Sequence, residues 1–165
     1  MINVQNNFLN NIDFTEINNR IKNKNFPWYF NNKEKLFYHD LVIIDKKKDL
    51  FMQSPFINLL TPFVNSLKIK KINLAKFIFK NKTDKIIKYP TIENKELYDN
   101  SKTSYFFFNS CDGYIQFINH NKIDFIENTI LTFSSQLPYF ATSHTNKNFC
   151  IILFINYLLE DKLNN

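Results

Sequence analysis

A single glycine and a single arginine, Gly113 and Arg20, are all that this chain of 165 residues contains of either type. One glycine leaves no P-loop and no G-x-S-x-G nucleophile elbow, each of which needs several positions without a Cβ. One arginine removes nearly all of the guanidinium forks that favour phosphate and base-edge recognition. The net charge of +6 and pI near 9.2 would suit a polyanion, but the excess is lysine scattered along the chain. The run Lys46, Lys47, Lys48 reads as a solvated turn, and nucleic acid is disfavoured as a partner. The two cysteines, Cys111 and Cys150, are too few for a disulfide framework and form no C-x-x-C pair, so a reducing, intracellular setting is expected. No apolar run is long enough to span a bilayer, and MINVQNNFLNNIDF lacks the basic start and apolar stretch of a signal peptide. A soluble, cytoplasmic protein with no membrane partner is expected.

What the chain has instead is aromatic carbon. Hydrophobic residues make up 44% of it and aromatics 17%, with 19 phenylalanines, a composition that folds rather than staying disordered. The length fits one domain, residues 1–165, with a core that needs no disulfide or structural metal. The abundance of Asn, Lys and Ile reads first as the mark of AT-rich coding.

Asp13 followed by Glu16 predicts a capping box, with Phe14, Ile17 and Ile21 at helical spacing behind it. FPWYF at 26–30 and KLFYHDLVIID at 35–45 read as two strands. SPFINLLTPFVNSL is the clearest helix, with Ser54 as cap and Pro55 at the first helical position. Phe56, Leu59, Leu60, Phe63, Val64 and Leu67 form its apolar stripe, and Pro62 is expected to kink its middle. From residue 68 onward short β-prone runs follow one another: KIKKINLAKFIFK, DKIIKYP, KTSYFFFN, YIQFIN, KIDFIE, TILTFSS and NFCIILFINYLL. A helical part over about 1–67 and a strand-rich core over about 68–160 predict a mainly β, α+β domain. A sandwich or jelly roll is favoured, since a parallel sheet would need helices between its strands. Asp112 and Gly113 are expected to make a tight hairpin turn in which glycine supplies a positive φ.

The order of FPWYF, PFVNSL, KINL at 71–74, KTSYFFFNSCDGYIQF, the EN pair at 127–128, TFSSQLP and the final INY resembles the Fe(II)- and 2-oxoglutarate-dependent oxygenases, of the short prolyl-hydroxylase-like kind found in marine phage genomes. The resemblance runs over nearly the whole chain. It implies a double-stranded β-helix, a jelly roll with two or three N-terminal helices packed on one sheet.

The resemblance also implies a facial triad of two histidines and one carboxylate around iron. The first two ligands come as H-x-D on an extended segment, whose alternate residues share a side. Thr91 stands here at the histidine position and Glu93 at the aspartate position, within YPTIEN. Pro138 stands where the distal histidine is expected. The arginine that would grip the far carboxylate of 2-oxoglutarate is replaced by Cys150; Lys147 offers a point charge without the fork. Of the three histidines, His39 is expected on an outer strand, His120 at a hairpin tip, and His144 on a loop or the next strand. Glu93 and His144, with Lys147, are the candidates for a shifted site. Cys150, within NFCIILF, otherwise reads as inert packing.

The favoured reading is an oxygenase-like protein that has lost iron and 2-oxoglutarate and acts as a binding or structural protein, with no cofactor expected. Its partner would be another protein or a second copy, in the cytoplasm of an infected cell or in a virion if phage-encoded. The alternative is an active Fe(II)/2-oxoglutarate-dependent dioxygenase with a non-standard ligand set. In the first case Tyr105, Phe107, Tyr139 and Phe140 are expected to fill the barrel mouth.

Overall fold

The segment Phe149–Leu159 is apolar at almost every position because the strand it forms is covered on both faces. Its side chains alternate. Ile151, Leu153 and Ile155 belong to one buried cluster, and Cys150, Ile152 and Phe154 to another, as the two-residue period of a strand requires. Phe106 and Phe108 divide in the same way from Tyr105 and Phe107.

The structure, a computed structural model, describes residues 2–45, 50–90 and 100–159. In chain order the elements are β1 (Asn3–Asn6), α1 (Asn11–Ile21), β2 (Tyr29–Asn31), β3 (Leu36–Asp45) and β4 (Leu50–Gln53). After them come a 3-10 turn (Ile57–Leu60), α2 (Thr61–Leu67), β5 (Ile69–Asn81), β6 (Lys88–Pro90) and β7 (Lys102–Phe107). The chain continues with β8 (Cys111–Phe117), β9 (Ile123–Phe125), β10 (Thr129–Ser134), β11 (Tyr139–Thr142) and β12 (Phe149–Leu159). An eight-stranded sheet has the order β1-β10-β7-β12-β5-β3-β2, with β4 also on β3, and a four-stranded sheet has the order β6-β11-β8-β9. The strand pairs are antiparallel, and together the two sheets make a jelly roll. One core lies between the sheets. The other lies between the large sheet and the helices, where Ile17, Ile21, Leu60 and Phe63 meet Phe77 and Phe106. Among the described residues, no helix is long and apolar enough to cross a membrane.

The N-terminal part is less helical than expected, since β1 to β4 all join the large sheet. Helix α1 starts earlier than the Asp13 capping box would place it. Asn10 is the cap, its Oδ1 accepting from the N–H groups of Ile12 and Asp13 at 3.0 and 2.9 Å, and Asp13 receives the Asn10 amide at 2.7 Å. The predicted long helix is split in two. Pro62 lacks an N–H to continue the ladder and sits in the first turn of α2, while the residues before it form only the 3-10 turn. Ser54 Oγ does accept from the Phe56 N–H at 3.1 Å. The apolar stripe survives the break, with Leu59, Leu60 and Phe63 all buried.

Gly113 is not in a turn. It lies inside β8, no glycine has a positive φ, and the pairing of β8 with β9 shifts register between Cys111 and Tyr114. A Cβ at this position would sit 2.7 Å from the Phe125 ring and 3.1 Å from the Ser143 carbonyl. The glycine serves close approach rather than chain reversal. Positive φ is carried instead by Asn7, Asn100, Asn119 and Asn128, and by Lys35 and Lys68, asparagine being the residue after glycine that best tolerates this region.

Phe125 is itself stacked on Phe107 at 4.6 Å, so it has little room to yield. Gly113→Ala is expected to lower stability by about 1–3 kcal/mol in urea unfolding, and Phe125→Leu in the same chain to recover part of that loss through coupling. A neutral Gly113→Ala would contradict this account.

Candidate functional site

The side chains enclosed by the two sheets are stacked in layers along the roll. At the end where β11 begins, the hydroxyls of Tyr105 and Tyr139 lie 2.7 Å apart. Phe133 packs edge-on to Tyr139 at 4.9 Å, Phe117 to Phe133 at 4.8 Å and Phe154 to Tyr105 at 5.2 Å. These are favoured aromatic geometries, worth about 0.5–1.5 kcal/mol each beyond area burial. A polar layer adjoins them. The fully buried Asn156 donates from its amide to the hydroxyls of Ser135, Ser101 and Thr103 at 2.8, 3.1 and 3.3 Å, and accepts from the Asn73 amide at 2.9 Å.

The other end of β11 leads to a different chemistry. Cys111 opens β8, Cys150 is the second residue of β12, and His144 lies in the connection between β11 and β12. The two thiols and the imidazole are buried, with donor atoms all within 4.8 Å of one another. Asn109 brings the cysteines together. Its amide donates to the Phe149 carbonyl and its Oδ1 accepts from the Ile151 N–H, both at 2.9 Å, which holds the turn after β7 against the start of β12. His144 is clamped through its backbone. Its carbonyl accepts from the Thr83 N–H at 3.0 Å, and the N–H of the next residue, Thr145, donates to the Asp112 carboxylate at 2.7 Å.

The charges at this end are interdependent. The hydrogen bond from Cys150 holds the Cys111 thiol below its ordinary range, burial opposing and the Gly113 N–H assisting. The same bond, reinforced by burial, raises Cys150 well above it. Burial pushes His144 down, against the pull of Asp112 and with the help of Lys80. Lys80, paired with Cys150 across β5 and β12, is also lowered by burial, while the two thiols draw it up. Its Nζ donates to the Thr142 carbonyl at 3.4 Å and sits 5.3 Å over the Tyr89 ring. Burial works against the Asp112 charge, but hydrogen bonds from Thr145 and Asn146 overcome it and keep the carboxyl below its usual range.

The expected oxygenase positions fare unevenly. Thr91 and Glu93 lie outside the described residues. Pro90, just before them, pairs with Phe140, two residues beyond Pro138. Pro138 offers no ligand atom, and the inward-facing groups at this end are hydroxyls, an amide and rings. Among the described residues the buried imidazoles are His39 and His144, and no carboxylate is buried. The described residues here do not fit a facial iron site. Tyr105 and Tyr139 fill the interior as expected. Phe107 does so farther along, against Phe125. Phe140 is only half-buried and packs against Tyr114, with Lys88 over its ring at 4.8 Å.

His39 is not on an outer strand. It is buried in β3, which pairs with β5 on one edge and with β2 and β4 on the other. Its Nδ1–H donates to the Pro27 carbonyl and its Nε2 accepts from Ser54 Oγ, both at 2.7 Å. His120 is exposed just after β8, where a hairpin tip was expected. Lys147 is exposed, and the cation beside Cys150 is Lys80, which sequence reasoning did not single out. Cys111 was also passed over, and Cys150, buried as packing would require, lies beside it and His144. The available signal was that two cysteines separated by many residues each stand at a strand start. Strand β11, missed between Pro138 and the following polar loop, hid their convergence.

No protein-family model and no curated protein matches the sequence. Solved structures do match in fold. A 2OG-Fe(II) oxygenase family oxidoreductase from Burkholderia pseudomallei aligns at TM-score 0.65 and 9% identity, over 95% of this chain and 85% of that one. A viral collagen prolyl hydroxylase from Paramecium bursaria Chlorella virus-1, in complex with 2OG, aligns at 0.54 and 15%, over 95% and 96%. A prolyl hydroxylase from Trichoplax adhaerens, bound to a hypoxia inducible factor peptide fragment, aligns at 0.63 and 12%, over 95% and 83%. The jelly roll of this chain is therefore similar in fold to those of 2-oxoglutarate/Fe(II) oxygenases.

The tyrosine pair gives a direct check of the filled interior. Tyr105→Phe and Tyr139→Phe are each expected to destabilise the protein, with a coupling of about 0.5–1.5 kcal/mol in the double-mutant cycle. Additive losses would show that the hydroxyls do not meet.

Proposed function

We propose that this chain is an oxygenase-fold protein that has lost iron and 2-oxoglutarate binding and works as a non-catalytic binding or structural protein. The observation that carries this reading is the closed end of the roll, where Tyr139 is bonded to Tyr105 at 2.7 Å, beside Pro138, which the sequence resemblance sets at the distal-histidine position. A facial triad needs donors on one side of the metal and open positions opposite, whereas here packed rings occupy the interior. The outer edge of the large sheet supplies surface for a partner. Tyr29 and Phe30 on β2 and Phe51 and Met52 on β4 are all exposed, on both faces of the short strands that flank the same edge of β3, and exposed apolar side chains at a sheet edge offer a place for another chain to dock. The partner would be another protein or a second copy of the chain. If the chain is phage-encoded, as the sequence resemblance suggests, its place would be the cytoplasm of an infected cell or a virion.

The second reading, an active dioxygenase with a shifted ligand set, draws on the buried, poorly satisfied imidazole of His144. That ring lies beyond the far end of β11 from Pro138, so the site would have to move along the roll. Lys80 would then be the cation available to a carboxylate. Calorimetric titration with 2-oxoglutarate in the presence of Mn(II), together with a succinate assay under Fe(II) and air, separates the readings. The proposal expects neither heat of 2-oxoglutarate binding nor succinate above the protein-free rate. One equivalent of 2-oxoglutarate bound, and lost in Lys80→Met, would overturn it in favour of the dioxygenase.

A further inference from the structure

We propose that Cys111, His144 and Cys150 form a metal site for a soft divalent ion, zinc above all, at the end of the roll away from Pro138. This does not depend on the function proposed above. The donor set carries the argument. Two thiols and an imidazole converge within 4.8 Å from three separate segments. Soft sulfur with imidazole nitrogen is the ligand combination that selects zinc over the oxygen-preferring ions.

The imidazole is the second, independent observation. His144 has no solvent exposure, and neither Nδ1 nor Nε2 makes a hydrogen bond of good geometry, the Lys147 backbone giving the ring only a weak polar contact. A buried ring so poorly satisfied is costly in a folded interior, and coordination by one of its nitrogens would relieve part of that cost. The geometry is close to what binding requires. Tetrahedral zinc at ordinary bond lengths places sulfur and nitrogen donors about 3.5–3.8 Å apart, so the present spread needs a contraction of at most about 1.3 Å, within reach of side-chain rotation.

The surroundings are those of a supported site. Asp112 holds the loop beyond His144 through Thr145 and Asn146, and Asn109 fixes the two cysteine-bearing segments against each other. Outer contacts of this kind orient metal ligands. Binding would release the thiol protons to solvent, leaving two thiolates and a neutral imidazole around a dication. That centre is neutral overall, so the nearby Lys80 ammonium faces no net positive charge. The fourth position is left to water or an exogenous ligand, as in zinc sites with three protein donors.

The test is titration of the reduced, full-length protein with Co(II), followed by competition with Zn(II). The expected result is one equivalent of tetrahedral cobalt with sulfur-to-metal charge-transfer absorption, displaced stoichiometrically by Zn(II). Cys150→Ser and His144→Gln, each checked for native circular dichroism, should weaken binding by more than the ~10–100-fold that loss of an outer contact costs. Absence of the charge-transfer band in the wild-type protein would overturn the proposal without reference to any variant. Binding unchanged in well-folded Cys150→Ser and His144→Gln would do the same, as would a Cys111–Cys150 disulfide persisting in place of metal under reducing conditions. A cobalt spectrum that shifts on adding 2-oxoglutarate would support the metal site while counting against the function proposed above.

Discussion

Strand β12 runs through the middle of the large sheet with apolar contacts on both faces, and this double burial sets the positions of everything else. One face carries Ile151, Leu153 and Ile155 toward the helices, and the other carries Cys150, Ile152 and Phe154 into the roll. A one-residue slip would exchange the two sets. Cys150 would then turn from the roll toward the helices, and Phe154 would abandon the aromatic layer that closes the other end. Pairing with β5 over Ile69–Asn81 and with β7 over Lys102–Phe107 resists that slip. The cysteine cluster and the tyrosine pair are thus two consequences of one register.

The same register explains why the interior is divided. Aromatic rings fill the end near Pro138, and sulfur, imidazole and ammonium gather at the other end. The single glycine belongs to this second end. Gly113 lets β8 pass close to Phe125 and the Ser143 carbonyl, directly between Cys111 and the loop that presents His144. A side chain there would press on the Ser143 carbonyl, one residue before His144.

Much of this fold was legible in the sequence because burial leaves a period. The strand-like runs from residue 68 onward became β5 to β10 and β12, and the stripe from Phe56 to Leu67 faced the core as expected. Resemblance to the oxygenases supplied the jelly roll, which the similar solved structures bear out. The misses have physical causes. Asn10 displaced Asp13 as cap because local side-chain bonding, not the S-x-x-E spacing, decides where a helix starts. Pro62 began a helix instead of bending one. Gly113 was read as a turn residue because close approach between strands leaves no mark on local sequence. The candidate site was harder still. Cys111, His144, Cys150 and Lys80 come from four segments, and only the pairing of strands shows that they meet.

The most direct measurement is a crystal structure of the protein grown with Mn(II) and 2-oxoglutarate. The account predicts that Tyr105 and Tyr139 remain hydrogen-bonded across the roll, with no 2-oxoglutarate density between the sheets. Density for 2-oxoglutarate in the roll, with Tyr139 displaced to admit it, would contradict the claim that this interior has closed.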